Sequence, residues 1–230
     1  MAKKILPTIT TILPGRWREK LKEAKKLGLK EVALFPTCLK PSERKELYGL
    51  LGETGIEKIP FVHLRSDMKL WEMDYLIKKW GTEVFNTHTR RQFPNPAEWL
   101  KYKNLIYIEN TYLPLDEEEI KECGGICLDL SHLEDARMFH PDVFRHNIEL
   151  VEKYGCGCNH VGPAKNFSFL DINTQEPNYQ GAHLLQDLSE FDYLKNYPQN
   201  YFSPYLAIEL EDDLATQLKV KDYVNDLIFL

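Results

Sequence analysis

No stretch of this sequence approaches the ~18 uninterrupted apolar residues of a membrane-spanning helix, and no segment of it repeats. Positive charge is in short supply as well. Against 35 Asp and Glu stand 29 Lys and Arg, a formal net charge of −6, so nothing draws the whole molecule to phosphate backbones or anionic membranes. Nucleic acid is therefore a disfavoured partner and a membrane is not expected. Cysteine is sparse and odd in number. Cys38, Cys123, Cys127, Cys156 and Cys158 lie mostly in apolar runs, as in reduced intracellular proteins rather than disulfide frameworks. Glycine is scarce where a dinucleotide-binding fold needs it: LPGRWREK, after the first apolar run, has one glycine where the fingerprint has three. That counts against an open, doubly wound sheet. The opening MAKKILPTITTIL has basic residues before apolar ones, but Pro7 and the threonines interrupt it and no small-residue cleavage site follows. It reads as a first strand, and the expected compartment is the cytoplasm.

What is present is an alternation that does not stop. With 230 residues, 43% of them hydrophobic, the chain suits one domain, residues 1–230, with a full core. ILPTITTIL precedes WREKLKEAKKLG, where Trp17, Leu21, Ala24 and Leu27 recur at helical spacing. EVALFP leads to ERKELYGLLGETG and IPFVHLR to KLWEMDYLIKKWG, both helices stopping at glycine. EVFNTHT precedes PAEWLKY, and NLIYIEN precedes DEEEIKECGG. ICLDLSH precedes PDVFRHNIELVEKYG, with Pro141 in a helix-starting position. CGCNHVG and YLAIELE are the last strands, a seventh helix is expected around SEFDYLKNY, and DDLATQLKVKDYVNDLIF closes the chain. Eight strand–helix units predict an α/β fold, a closed (β/α)8 TIM barrel with short loops. The exception is the long stretch 162–204, aromatic and rich in Asn, Gln and Pro, which is a candidate lid.

The ionisable residues fall at equivalent places. His63, His88, Glu109, Asp129, His160 and Glu209 each stand at or near the carboxyl end of a strand-like run, from the third to the eighth. In a parallel barrel those ends open on one face. A period of two puts Leu105, Tyr107 and Glu109 on one side, as it does Cys127 with Asp129, and Cys156 and Cys158 with His160. Three carboxylates in one mouth repel each other unless a cation neutralises them. Imidazoles alternating with carboxylates suit a divalent ion such as zinc or manganese. Singly, each residue has a blander explanation: a strand-end His is often a hydrogen-bonded core residue, and a strand-end Asp caps the next helix. The run C-x-C-x-H at residues 156–160 could supply a thiolate site, but small core-filling cysteines explain it better.

In IENT, CLDLSH, CNHVGPAK and AIELE the chain resembles the xylose isomerase-like barrels, the group of sugar isomerases and epimerases that also includes endonuclease IV. The resemblance covers nearly the whole chain in element order. It implies that Glu109, Asp129, His160 and Glu209 ligate a shared metal ion, with His132 as a second-site ligand or a substrate contact. In the sugar branch it implies one ion, with Glu109 and Glu209 removing and returning a proton as a sugar or sugar phosphate passes through an enediolate.

The endonuclease branch implies up to three ions and phosphodiester cleavage. His63 and His88 match its extra ligands and His132 with His183 its third site, although Gly181 stands where an aspartate is expected. Arg65, Arg90, Arg91 and Lys165, just past strand ends, are candidates to bind one or two phosphates, or else Arg65 and Arg90 pair with site carboxylates or Asp67. The expectation is a small sugar or sugar-phosphate substrate, ahead of a phosphoester and of a metal-binding relative without activity. Trp71, Trp80 and Trp99 suggest a homo-oligomer interface or helix-to-barrel packing.

Overall fold

Nine strands pair in parallel in the order β1-β11-β8-β7-β6-β5-β4-β3-β2 in the computed structural model, which describes residues 3–165, 167–170, 177–178 and 183–229. The strands are β1 (Lys4–Leu6), β2 (Thr8–Thr10), β3 (Glu31–Phe35), β4 (Lys58–His63), β5 (Val84–His88), β6 (Ile106–Glu109), β7 (Gly125–Asp129), β8 (Cys156–Val161) and β11 (Tyr205–Ile208). A separate ribbon joins β9 (Phe169–Leu170) to β10 (Pro177–Asn178).

The barrel closes through its first strand, which is split at Pro7: β1 pairs with β11 and β2 with β3. Proline has no N–H to donate, and the Pro7 carbonyl accepts from Ala33 N at 2.9 Å. Gln217 spans the break from the last helix, accepting from Thr8 N at 2.6 Å and donating to the Thr8 carbonyl at 3.0 Å. The eight-unit barrel expected from the sequence is therefore the observed one.

Helices α1 (Arg16–Leu27), α2 (Pro41–Leu51), α3 (Leu70–Trp80), α4 (Glu117–Glu122), α5 (Leu130–Phe139), α6 (Pro141–Tyr154) and α7 (Leu214–Phe229) surround the sheet. Trp17, Leu21 and Ala24 are buried as the periodicity of α1 requires, whereas Leu27 is exposed at its last turn. Gly81 ends α3 with φ +64°, a left-handed conformation that glycine adopts without a Cβ clash. Two expected helices, PAEWLKY and SEFDYLKNY, are 3-10 segments, Ala97–Leu105 and Leu188–Asn196. No helix among the described residues is long and apolar enough to cross a membrane.

The lid expectation is narrowed. Phe191, Leu194, Tyr197, Tyr201 and Phe202 pack into the core outside the sheet, so residues 188–202 form barrel wall. Residues 166, 171–176 and 179–182 of that stretch lie outside the described residues. Trp80 and Trp99 are buried in the other outer core and Trp99 Nε1 donates to the Met68 carbonyl, so of the three tryptophans only Trp71 is left exposed.

Inside the barrel the lower side chains are apolar: Leu6, Ala33, Phe35, Phe61, Val84, Cys127, Cys158 and Ala207. The register between β7 and β8 shifts between Ile126 and Cys127, which breaks the period-two expectation for β8. Cys158 points into the barrel. Cys156 packs outside it and its thiol donates to the Tyr201 carbonyl. At Gly157 an added Cβ would lie 2.0 Å from Tyr107 Cε1. Gly157→Ala must therefore displace the Tyr107 ring at an expected cost of about 1–3 kcal/mol. Urea unfolding measures this, and an unchanged midpoint would show that the ring moves freely.

Candidate metal centre

Asp129 shows how the strand ends are made polar. The chain passes from β7 into α5 without a loop, and Asp129 is the N-cap. Its Oδ1 accepts from Ser131 N at 2.7 Å, Ser131 Oγ at 2.6 Å and His132 N at 2.9 Å. Asn110 holds its backbone from the neighbouring strand, accepting from Asp129 N at 2.7 Å and donating to its carbonyl at 2.9 Å. The capping explanation is thus correct for one oxygen. The other, Oδ2, is buried without a hydrogen-bond partner.

Around that orphan the predicted residues assemble. His160 Nδ1 stands 3.5 Å from Glu109 Oε1, 3.6 Å from Asp129 Oδ2 and 3.4 Å from Glu209 Oε2. It is fully buried and neither ring nitrogen has a hydrogen-bond partner. Four ligands around one ion at ~2.1 Å lie about 3.4 Å from each other, so these separations suit ligands with a cation between them better than direct hydrogen bonds. Phe35 and Phe61 form an apolar floor, with ring centroids 4.5 and 5.4 Å from that of His160.

The second oxygen of Glu109 faces a different set. Oε2 lies 3.0 Å from His63 Nε2 and 3.8 Å from His88 Nε2, and accepts from Asn86 Nδ2. His63 Nδ1 is 2.8 Å from the Leu64 carbonyl, which can only accept, so Nδ1 carries a proton. A neutral His63 then aims the Nε2 lone pair at a carboxylate oxygen. That contact is repulsive unless the ring is an imidazolium or a cation lies between them. A ligating histidine whose other nitrogen donates to a backbone carbonyl has this arrangement. Burial, opposed by Glu109, lowers the His88 pKa to about 4, which leaves its ring neutral at neutral pH.

The carboxylates are held as anions. Burial alone would raise Glu109, but His160, His88 and His63 outweigh it and hold the acid well below the usual range. Asp129 follows the same balance, burial being outweighed by His132 and His160, and falls to about 2. Glu209 is lowered by His183 and His160 against burial. His132 Nε2 lies 3.9 Å from Asp129 Oδ2 and forms a ligand group with Asp129 and Glu109. His183, whose φ is +53°, joins no group of three ligand atoms among the described residues, and its Nδ1 is buried without a hydrogen-bond partner. Gly181 lies outside the described residues.

The candidate phosphate-binding cations are paired within the protein, Arg65 with Asp67 as the alternative expectation has it. Lys165 is buried, paired with Glu190 at 2.6 Å and donating to the Leu184 carbonyl, so it braces the loop after β8 rather than presenting a free ammonium. Arg65 pairs with Asp67 at 3.1 Å and donates to the Thr37 carbonyl. Arg90 pairs with Glu122 at 2.8 Å and Arg91 with Asp116 at 2.9 Å, acids on or capping α4 rather than site carboxylates. Asn86 and Asn110 are site neighbours that the sequence pattern does not single out, and Cys127 is one that it places beside Asp129 without a role. Strand parity with Glu109 and Asp129 was the available signal for Cys127.

A scan against protein-family models gave no match, and neither did a search of curated proteins. Solved structures do match. A xylose isomerase domain protein from Planctomyces limnophilus superposes with TM-score 0.51 at 14% identity, over 97% of this chain and 96% of that one. The fold it shares with this chain is the parallel (β/α)8 barrel. Phospho-2-dehydro-3-deoxyheptonate aldolase from Thermotoga maritima superposes with TM-score 0.52 at 11% identity, over 98% of this chain and 69% of that one. The chain spans 65% of the length of an uncharacterized B. cereus protein, at TM-score 0.48 and 10% identity. At the carboxyl ends of its strands the barrel carries, among the described residues, four overlapping groups of His, Cys, Asp and Glu whose ligand atoms are close enough to hold a metal ion.

Proposed function

We propose that the chain is a divalent-metal-dependent enzyme with two cation centres bridged by Glu109, and that the reaction its geometry favours is hydrolysis of a phosphoester on a small, sugar-like substrate. The observation that carries this is the division of Glu109: Oε1 faces His160, while Oε2 faces His63 and His88. Asp129 and Glu209 form a ligand group with His160, and Glu109 forms one with Asp129 and His132.

Divalent cations held there would polarise phosphoryl oxygens and make water a nucleophile at neutral pH. The protein's own residues do the rest. Asp129 is fixed by its helix cap, and Asn86 and the histidines fix Glu109. Glu209, its side chain 15% exposed against 2% for Glu109 and 0% for Asp129, is the carboxylate that can exchange a proton with a substrate. Because the neighbouring arginines are paired within the protein, a small substrate fits better than a nucleic-acid backbone, which needs several free cations.

Sugar isomerisation or epimerisation, the first expectation from the sequence, is the second reading, and the reach of Glu209 favours it. Against it, both oxygens of Glu109 face histidine nitrogens, which places that carboxylate as a ligand rather than as a free base.

The test is a pair of assays on zinc- and manganese-loaded protein. Release of nitrophenol from bis(p-nitrophenyl) phosphate, lost on chelation and in Glu209→Gln, is expected. Solvent-deuterium incorporation into ketoses or ketose phosphates, with no phosphoester cleavage, would replace hydrolysis with the isomerase reading. Nicking of abasic duplex DNA alone would contradict the small-substrate assignment.

A further inference from the structure

We propose that Cys127 is a sulfur ligand of the cation held by Glu109 and His160, and that it biases the centre toward zinc over manganese or magnesium. The proposal rests on the two-centre reading above and adds a donor to it.

Cys127 lies on β7 two residues before Asp129, and its strand neighbours in register are Glu109 and Cys158. Its Sγ, a carboxylate oxygen of Glu109 and a ring nitrogen of His160 all lie within 4.8 Å of one another, and all three residues are buried. His160 points independently to a ligand here, since both ring nitrogens are buried and unpartnered. Two polar nitrogens without partners above an apolar floor are costly unless something binds them.

Charge points the same way. Two divalent cations bring four positive charges, while Glu109, Asp129 and Glu209 bring three negative ones. A thiolate balances the set. Binding would exchange the thiol proton for a metal–sulfur bond and release that proton to solvent, as coordinating thiols do. A soft sulfur donor in an otherwise oxygen and nitrogen set favours zinc or cobalt over manganese. Cys158, one strand away among the apolar interior residues, belongs to no such group among the described residues.

Cobalt(II) loading of the intact chain tests this. The wild-type protein should show a near-ultraviolet sulfur-to-cobalt charge-transfer band that persists in Cys158→Ser and disappears in Cys127→Ser. X-ray absorption of the zinc form should show one sulfur scatterer at ~2.3 Å. In Cys127→Ser the ratio of zinc to manganese affinity should fall by roughly tenfold or more. Should that variant fail to fold, the wild-type and Cys158→Ser spectra still decide. Cobalt bound without the band, and zinc without sulfur, would overturn the Cys127 assignment and leave the two-centre reading standing. Failure to bind either ion would overturn both.

Discussion

Glu109→Gln is expected to lower divalent-cation affinity by roughly 100-fold or more while leaving the barrel folded. Losing only a hydrogen-bond partner behind a metal ligand already costs 10–100-fold, and this substitution removes a donor shared by both centres. Glutamine keeps the volume, and its amide can accept from Asn86 or donate to His63, so the fold has no cavity to close. Calorimetric titration with zinc measures the affinity and a thermal scan of the metal-free protein measures the fold. If Glu109 were only a partner for His63, the neutral amide would leave zinc binding nearly unchanged.

Glu72→Ala should have the largest effect on stability, about 3 kcal/mol or more out of the 5–15 kcal/mol that hold a domain together. Arg44 is 0% exposed and forms a two-pronged pair with Glu72, at 2.8 and 3.0 Å, while the Tyr48 hydroxyl donates to the same carboxylate at 2.8 Å. Truncation leaves the guanidinium with only Asp67 and the Leu39 carbonyl. Burial would raise the Glu72 pKa, but Arg44, Lys69 N and Tyr48 outweigh it and lower it below the carboxylate range. A depressed folded pKa contributes stability that is present above the unfolded value of ~4.3 and disappears as pH falls through the folded value. The penalty of Glu72→Ala should therefore be full at neutral pH and shrink in acid. Urea unfolding at the two pH values checks this, and a penalty independent of pH would assign it to packing instead.

The barrel and the gathering of six strand-end residues were legible because a parallel sheet converts equal positions along separate strands into one rim. Three things were not. Helix α5 follows β7 directly, with no glycine or proline to mark the change, so its ten residues read as a connection. The register shift at Ile126 and Cys127 turns Cys156 outward, and a bulge leaves no mark in an alternating apolar pattern. The partners of Arg90 and Lys165 are acids that tertiary folding brings near, 32 and 25 residues away in the chain, and local sequence does not choose them, whereas Asp67 stands two residues from Arg65.

The most direct test of the two-centre site is anomalous diffraction from crystals grown with zinc. Two peaks are predicted at the carboxyl ends of the strands, one beside His63 and His88 and one between His160, Asp129 and Glu209, with Glu109 reaching both. A mouth without a peak, His63 and Glu109 in direct contact and the His160 nitrogens bound to water, would contradict it.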